Sequence, residues 1–251
     1  MRLLLAHVKV EILELIQLSA YSIPTLLMPS LLFLVFGGTR ATTVNAANHH
    51  MASYATFAVM GIAFFQFGVG IVADRESLWR VYMRILPVGA GVRFAARVGA
   101  AVIFALLSVG LVLAATITPA TLSPVAWSRF LLLLLIGSIP IGLLGIALGY
   151  WAGPKSALPI ANILYLLLAF AGGIFLPPSS LPPIVASVSP YLPTRMLLEI
   201  AWASAKEAPI STRIGLGCLC MERWHSVLRQ PDTSEMKARN TVSRHRMETR
   251  H

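Results

Sequence analysis

The chain has 251 residues, 57% of them hydrophobic and only 12% charged, and its mean hydropathy is +0.75. An ordinary soluble domain carries about 25% charged residues, so the composition excludes one and reads as a membrane protein. The net charge of +10 would suggest nucleic acid in a soluble chain, but here the basic residues sit between apolar runs and in the tail, which reads as membrane orientation with no nucleic-acid partner.

No charged residue occurs in 41–73, 98–128, 130–154 or 156–194. Each of these gaps can hold a span of about 20 residues. The amino-terminal apolar stretch Leu3 to Ala6 is too short for a signal peptide and is followed by Lys9, Glu11 and Glu14, so the first span is expected to be retained.

In chain order, residues 1–18 form an amphipathic segment. Leu4, Leu5, Val8, Ile12, Leu15 and Ile16 share one helical face, and Glu11, Glu14 and Gln17 the other. It either lies at the membrane surface or extends the first span downward. Span one is predicted over Ser19–Phe36, with Pro24 and Pro29 inside it, and span two over Tyr54–Ala73. His49 and His50, just before span two, are predicted to be loop residues.

After span two comes Asp74, Arg75, Glu76, Arg80 and Arg84. Wound as a helix over 74–86, this segment places Glu76, Arg80 and Arg84 on one face and Leu78, Val81, Tyr82, Ile85 and Leu86 on the other, with Glu76 four residues before Arg80. Pro87 and Gly89 end it. It reads as a short surface helix, either a positive loop at lipid headgroups or a lever pushed by a partner.

Span three is predicted over Val98–Ile117, span four over Phe130–Trp151 and span five over Leu158–Phe175. Span four carries Gly142, Gly145, Gly149 and Gly153, whose GxxxG spacing permits close helix contact within the subunit or at a dimer seam. The amides inside the spans are Gln66 and Asn162, which could line a translocation path or, the reading we favour, bond to a neighbouring helix. Basic residues in the short loops, Arg75, Arg80, Arg84, Arg93, Arg97 and then Lys155, place those loops and the amino terminus in the cytoplasm. From Leu181 to Ala203, six prolines in and just before the segment favour short re-entrant helices at the outer face over a continuous span.

From Pro209 onward no apolar run reaches spanning length. Residues 208–251 form a polar, basic tail that reads as disordered or foreign to the fold, and Cys218 and Cys220 are too few to close a zinc site.

Enzymatic chemistry finds little support. No lysine stands in a GxxxxGK[ST] loop, no HExxH or GxSxG motif occurs, and no ionisable residue lies inside the five spans. Cofactor-binding, metal and catalytic residues are therefore not expected.

The run YATFAVMGIAFFQFGVGIVADRESLWRVYMRILPVGAGVRFAARV, with FLVFGG before it and PIGLLGIALGYWAG and NILYLLLAFAGGIFLPPSSLPPIVASVSPYLPT after it, resembles the ABC-2 type permeases, the membrane subunits of ATP-driven exporters. The resemblance covers residues 1–205. It implies an all-α polytopic helix bundle of six spans, working by alternating access beside a cytoplasmic ABC ATPase that holds ATP and Mg, and paired with a second copy or a second permease. The implied coupling residues are Asp74, Arg75, Glu76, Arg80 and Arg84, and the proline-rich segment after span five is the implied outer gate. Membrane lipids are further partners, and the implied location is the bacterial cytoplasmic membrane, multi-pass, with a drug-like, lipid or other amphiphilic cargo. This sequence departs from the family where the sixth span belongs, since ISTRIGLGCLCMERWHSVLRQ stands there, an abrupt change that reads as a frameshift or truncation. The competing readings are a membrane scaffold or immunity-type protein that moves nothing, a defective permease, and an intramembrane enzyme.

Overall fold

The structure, a computed structural model of the chain, describes residues 7–13, 19–37, 43–76, 89–116, 122–176 and 180–205. The chain divides into two units, Met1–Ile210 and Ser211–His251. The second unit, with the cysteines and the basic tail, lies outside the described residues, as do Arg80 and Arg84.

Among the described residues every regular element is helical. Helix α1 covers residues 7–13. Helix α2, Ser19–Leu32, runs on into a π turn at Phe33–Gly37. Then come α3, Val44–Glu76; α4, Ala90–Ala114; α5, Pro124–Gly137; α6, Ile139–Trp151; and α7, Pro154–Gly172. Helix α8, Pro183–Val188, a 3-10 turn at Ser189–Tyr191 and α9, Pro193–Ala205, follow. Four stretches are long and apolar enough to cross a membrane: Val44–Arg75, Gly91–Ala114, Pro124–Trp151 and Pro154–Gly172, with a shorter apolar helix at Thr25–Gly37. This is a membrane helix bundle.

Local chemistry sets most helix starts. Thr43 Oγ1 accepts from the Ala46 amide and Ser123 Oγ from the Ala126 amide, so each caps a helix with its side chain. Pro124, Pro154, Pro183 and Pro193 each occupy the first helical position, where the missing N–H costs nothing. Helix α7 ends on Gly173, whose φ of 87° is left-handed and open to glycine.

Three boundaries differ from the sequence reading. Span four is not one helix: it breaks at Ser138 into α5 and α6, because Pro140 lacks the N–H that would bond one turn back and its ring crowds the carbonyl there. Helix α3 begins at Val44, ten residues before Tyr54, and takes His49 and His50 into its first turns. Helix α4 begins at Ala90, so Arg93 and Arg97 stand on a helix instead of in a loop.

The core is built around α3, which packs against α2, α4, α6, α7 and α9. Phe57, Met60, Ile62 and Phe64 on α3 are buried in one cluster with Val112 of α4, Phe130 and Leu134 of α5, Ile141 of α6 and Leu197 and Leu198 of α9. The outer faces of α4 to α7 stay apolar and exposed, as Leu107, Leu132, Leu143 and Leu167 illustrate. Such faces are stable against lipid and not against water.

Candidate functional site

The end of the bundle where α3 finishes gathers the charges. Arg97, on the second turn of α4, donates through Nη2 to Asp74 Oδ2 at the end of α3, and its Nε lies 3.7 Å from Glu11 Oε2 on α1. Its side chain is only 11% exposed, so it is held there by the two carboxylates and not by water. A guanidinium suits the position, because its planar fork can meet two acids at once. The Arg97 carbonyl in turn accepts from Gln66 Nε2 at 3.2 Å. Gln66 is buried, and its bond runs from α3 to α4; its Oε1 has no partner among the described residues.

This geometry changes the reading of α1. Glu11, expected on a polar face away from the apolar one, is half-buried beside Val8 and Ile12, while Val10 and Leu13 are exposed. The reason is Arg97, which offers Glu11 a charge partner on the bundle side.

Arg75, next in the chain, does something different. Its Nη1 donates to the carbonyls of Gly149 at 3.0 Å and Tyr150 at 3.3 Å, the last turn of α6. Those carbonyls have no partner further along the helix, and a cation is favoured at a helix carboxyl end. Asp74 and Arg75 therefore tie the end of α3 to α1, α4 and α6. Glu76 closes α3, and Arg80 and Arg84 lie outside the described residues.

The reach from Arg75 to Gly149 depends on a close approach of α3 and α6. A Cβ at Gly145 would stand 2.6 Å from the Phe64 carbonyl oxygen, and one at Gly149 would stand 2.8 Å from that of Gly68. Neither leaves room for a methyl group. Gly68, on the facing helix, would meet the Gly145 oxygen at 3.2 Å. Gly142 is looser, with Phe67 at 3.6 Å, and Gly153, with Ser156 Oγ at 3.6 Å, serves as the N-cap of α7. The contact made by Gly142, Gly145 and Gly149 is thus inside the subunit.

The opposite end of the bundle holds a cluster that the sequence did not reveal. Trp202 of α9 stacks on His49 of α3 at 4.4 Å, donates from Nε1 to Ser53 Oγ at 2.8 Å and lies under the Arg195 guanidinium at 5.3 Å. Arg195 also pairs with Glu199 at 2.9 Å. His49 and His50, predicted in a loop, are helical because this cluster gives the first turns of α3 something to pack on. Thr194 donates to the Leu168 carbonyl at 3.0 Å and Tyr165 to that of Phe57 at 2.9 Å, fixing α9 to α7 and α7 to α3. No group of three His, Cys, Asp or Glu that could hold a metal occurs among the described residues.

Asn162 behaves unlike Gln66. It is exposed on the outer face of α7, with no hydrogen-bond partner among the described residues. Among the described residues it makes no bond to a neighbouring helix.

Comparison with known proteins bears on this arrangement of helices. Over 156 residues, 61% of the chain, it is 31% identical to a Bacillus subtilis (strain 168) protein named "Putative transport permease YvfS". The likeness supports a transport permease. The match spans 64% of that relative, less than two thirds of its length. No family model matches the chain, and no solved structure matches it.

What the sequence missed here were partners, more than residues. Arg97 is visible as a basic residue near a span, but nothing in the sequence gives its pairing with Glu11, 86 positions away by number. An acid at a span's end and a basic residue at the start of the next span, here Asp74 and Arg97, was the available signal.

Proposed function

We propose that the chain is the membrane-spanning subunit of an ABC exporter of the ABC-2 type, in the bacterial cytoplasmic membrane with its amino terminus inside. Its partners are a cytoplasmic ATPase that binds ATP and Mg, and a second membrane subunit. The cargo is a drug-like, lipid or other amphiphilic molecule. The chain carries no ATPase motif of its own, so the driving energy comes from the partner.

The observation that carries this reading is the tied junction at the end of α3. Asp74 and Arg75 connect that end to α1, α4 and α6 directly before residues 77–88, so a force applied to that connection reaches four helices at once. A loop serving only as a headgroup anchor has no need of such ties. The likeness to a named transport permease supports the same reading. In it, closure of the ATPase subunits pushes the segment that contains Glu76, Arg80 and Arg84, and the bundle alternates between two openings.

The test is affinity purification of the full chain from detergent-solubilised native membranes, with the bound proteins identified and ATP hydrolysis measured. Recovery of an ATP-hydrolysing subunit in stoichiometric amount is the expected result. Its consistent absence would favour a scaffold or immunity-type protein that moves nothing. Given that partner, reversing charge at Arg80 and Arg84 together should leave membrane insertion intact and uncouple hydrolysis from transport by tenfold or more, on the order of the contribution of a small set of charge contacts.

A further inference from the structure

The membrane-length stretch Pro124–Trp151 is one crossing made of two halves with different neighbours. Helix α5 packs mainly against α9, whereas α6 packs mainly against α3, across Gly145 and Gly149 and under the Arg75 tie. The joint between the halves is Ser138, the fifteenth of the 28 residues, so it lies about 21 Å along a rod about 42 Å long, midway through the bilayer. Pro140 has no N–H for the Ile136 carbonyl one turn back. Ser138 bonds backward instead, from Oγ to the Leu135 carbonyl at 2.7 Å, a pattern that weakens and bends a helix. Ile136 and Ile139 on either side of the joint are exposed, whereas Leu197 of α9 lies against Gly137, so close that a Cβ there would stand 2.6 Å from Leu197 Cδ1. The grip of α9 on this span is therefore on the α5 side of the joint.

At the far end of α5, Trp202 links α9 to α3 by stacking on His49 and donating to Ser53. The same end holds buried polar atoms with no hydrogen-bond partner among the described residues: Asn48 Oδ1, next to His49 in the chain, Ser189 Oγ in the 3-10 turn before α9, and Arg195 Nη1 on α9 itself. Each has given up water without replacement, a cost that wetting would return. We propose that residues 138–140 are a hinge and Trp202 its catch. Helices α5 and α9 swing together away from α3, α6 stays on α3, and the parted seam admits water to Asn48, Ser189 and Arg195. An unbroken helix would make α5 follow α6, and α9 could then leave α3 only by dragging the whole span. As an exit for cargo the seam rests on the transporter reading; the motion itself does not.

The test uses the full chain in lipid vesicles, with Cys218→Ser and Cys220→Ser to remove native thiols, and two reporters. The first is the reaction of Asn48→Cys with an impermeant maleimide offered to both faces of the membrane. The second keeps Asn48 and measures distances between spin labels, with Val125→Cys paired to Val44→Cys at the Trp202 end, and Tyr150→Cys paired to Phe94→Cys at the Arg75 end. All four label positions are exposed.

Ser53→Ala takes the acceptor from Trp202 with little change in volume. It should raise both the maleimide reaction rate and the population of the longer Val125 to Val44 distance by about threefold to tenfold, the range for a hydrogen bond between membrane helices. Trp202→Ala should raise them further, and the Tyr150 to Phe94 distance should stay as it was in both. Adding Pro140→Leu, which restores the N–H and keeps an apolar side chain, should bring the Ser53→Ala variant back close to the parent. Unchanged reactivity and distances in Ser53→Ala would overturn the catch. A joint shift of both distance pairs, or an opening indifferent to Pro140→Leu, would overturn the hinge. No ATPase or cargo is needed, so a rigid seam leaves the transporter reading standing, and failure to recover an ATPase leaves the hinge standing.

Discussion

Arg97 shows how much one side chain can hold at a membrane boundary. With Asp74, Glu11 and Gln66 around it, it joins α1, α3 and α4, and truncating it takes the guanidinium from two carboxylates at once. Arg97→Ala should lower stability by about 1.5–3 kcal/mol, the range for hydrogen bonds to charged groups, read as a drop in thermal unfolding temperature in detergent. Arg97→Lys should recover only part of it, because a single ammonium cannot fork to two acids. Asp74→Ala should cost less than Arg97→Ala, since the Asp74 side chain is 46% exposed and water can replace part of what it loses. At the other end, Trp202→Phe removes the Nε1 bond to Ser53 while keeping an aromatic ring against His49, and about 0.5–1.5 kcal/mol is the expected loss in the same measurement.

At the scale of the element, the contact between α3 and α6 makes the sharpest forecast. Gly145→Ala puts a methyl against the Phe64 carbonyl oxygen and Gly149→Ala against that of Gly68, and in both cases the obstacle is backbone that cannot swing aside. Each should destabilise by about 1–3 kcal/mol, the usual cost of overpacking. Gly142→Ala, facing the Phe67 ring at an ordinary contact distance, should stay near the parent value. The ranking of these three variants in a detergent unfolding series checks the packing independently of any activity.

The same scale shows what could be read from residues alone. The spans were legible as charge-free apolar runs, since lipid demands them, and α7 lies close to its predicted place. The glycine spacing marked a close contact, but spacing does not say which helix fills it, and only the fold assigns the contact to α3. Helix α3 was read ten residues short because polar residues such as His49 and His50 look like loop residues until Trp202 of α9 stacks on His49. The break at Ser138 could have been read from Pro140, whose effect was masked by the strongly apolar residues on either side. The ties of Arg97, Arg75 and Trp202 join positions far apart in the chain, and a single sequence carries no record of such pairings.

For the molecule as a whole, the charges sort by end. Asp74, Arg75, Arg93, Arg97 and Lys155 belong to the end where α3 stops, and Arg129, Arg195 and Glu199 to helices α5 and α9. Under the proposed orientation the first set faces the cytoplasm. A cysteine at Lys155 should therefore react with an impermeant thiol reagent only in inverted vesicles, and one at Ser187, exposed in α8, only in intact cells. Labelling in the reverse pattern would invert the topology and with it the assignment of the coupling segment.

One dimension of α3 has a mechanical meaning. Its 33 residues make a rod about 50 Å long, whereas the hydrocarbon layer is about 30 Å thick, so even a tilt of 40° leaves it longer than the slab it crosses. The surplus emerges as solid helix in the headgroup regions, and Gly145 and Gly149 fasten α6 to its flank with no layer of side chains between. Displacing the tip at Glu76 by a few ångströms would swing the other tip, where His49 meets Trp202, the opposite way about a fulcrum inside the bilayer. Thickening the bilayer with longer-chain lipids would immerse those tips and stiffen the swing, so under the proposed transport role acyl-chain length should control turnover.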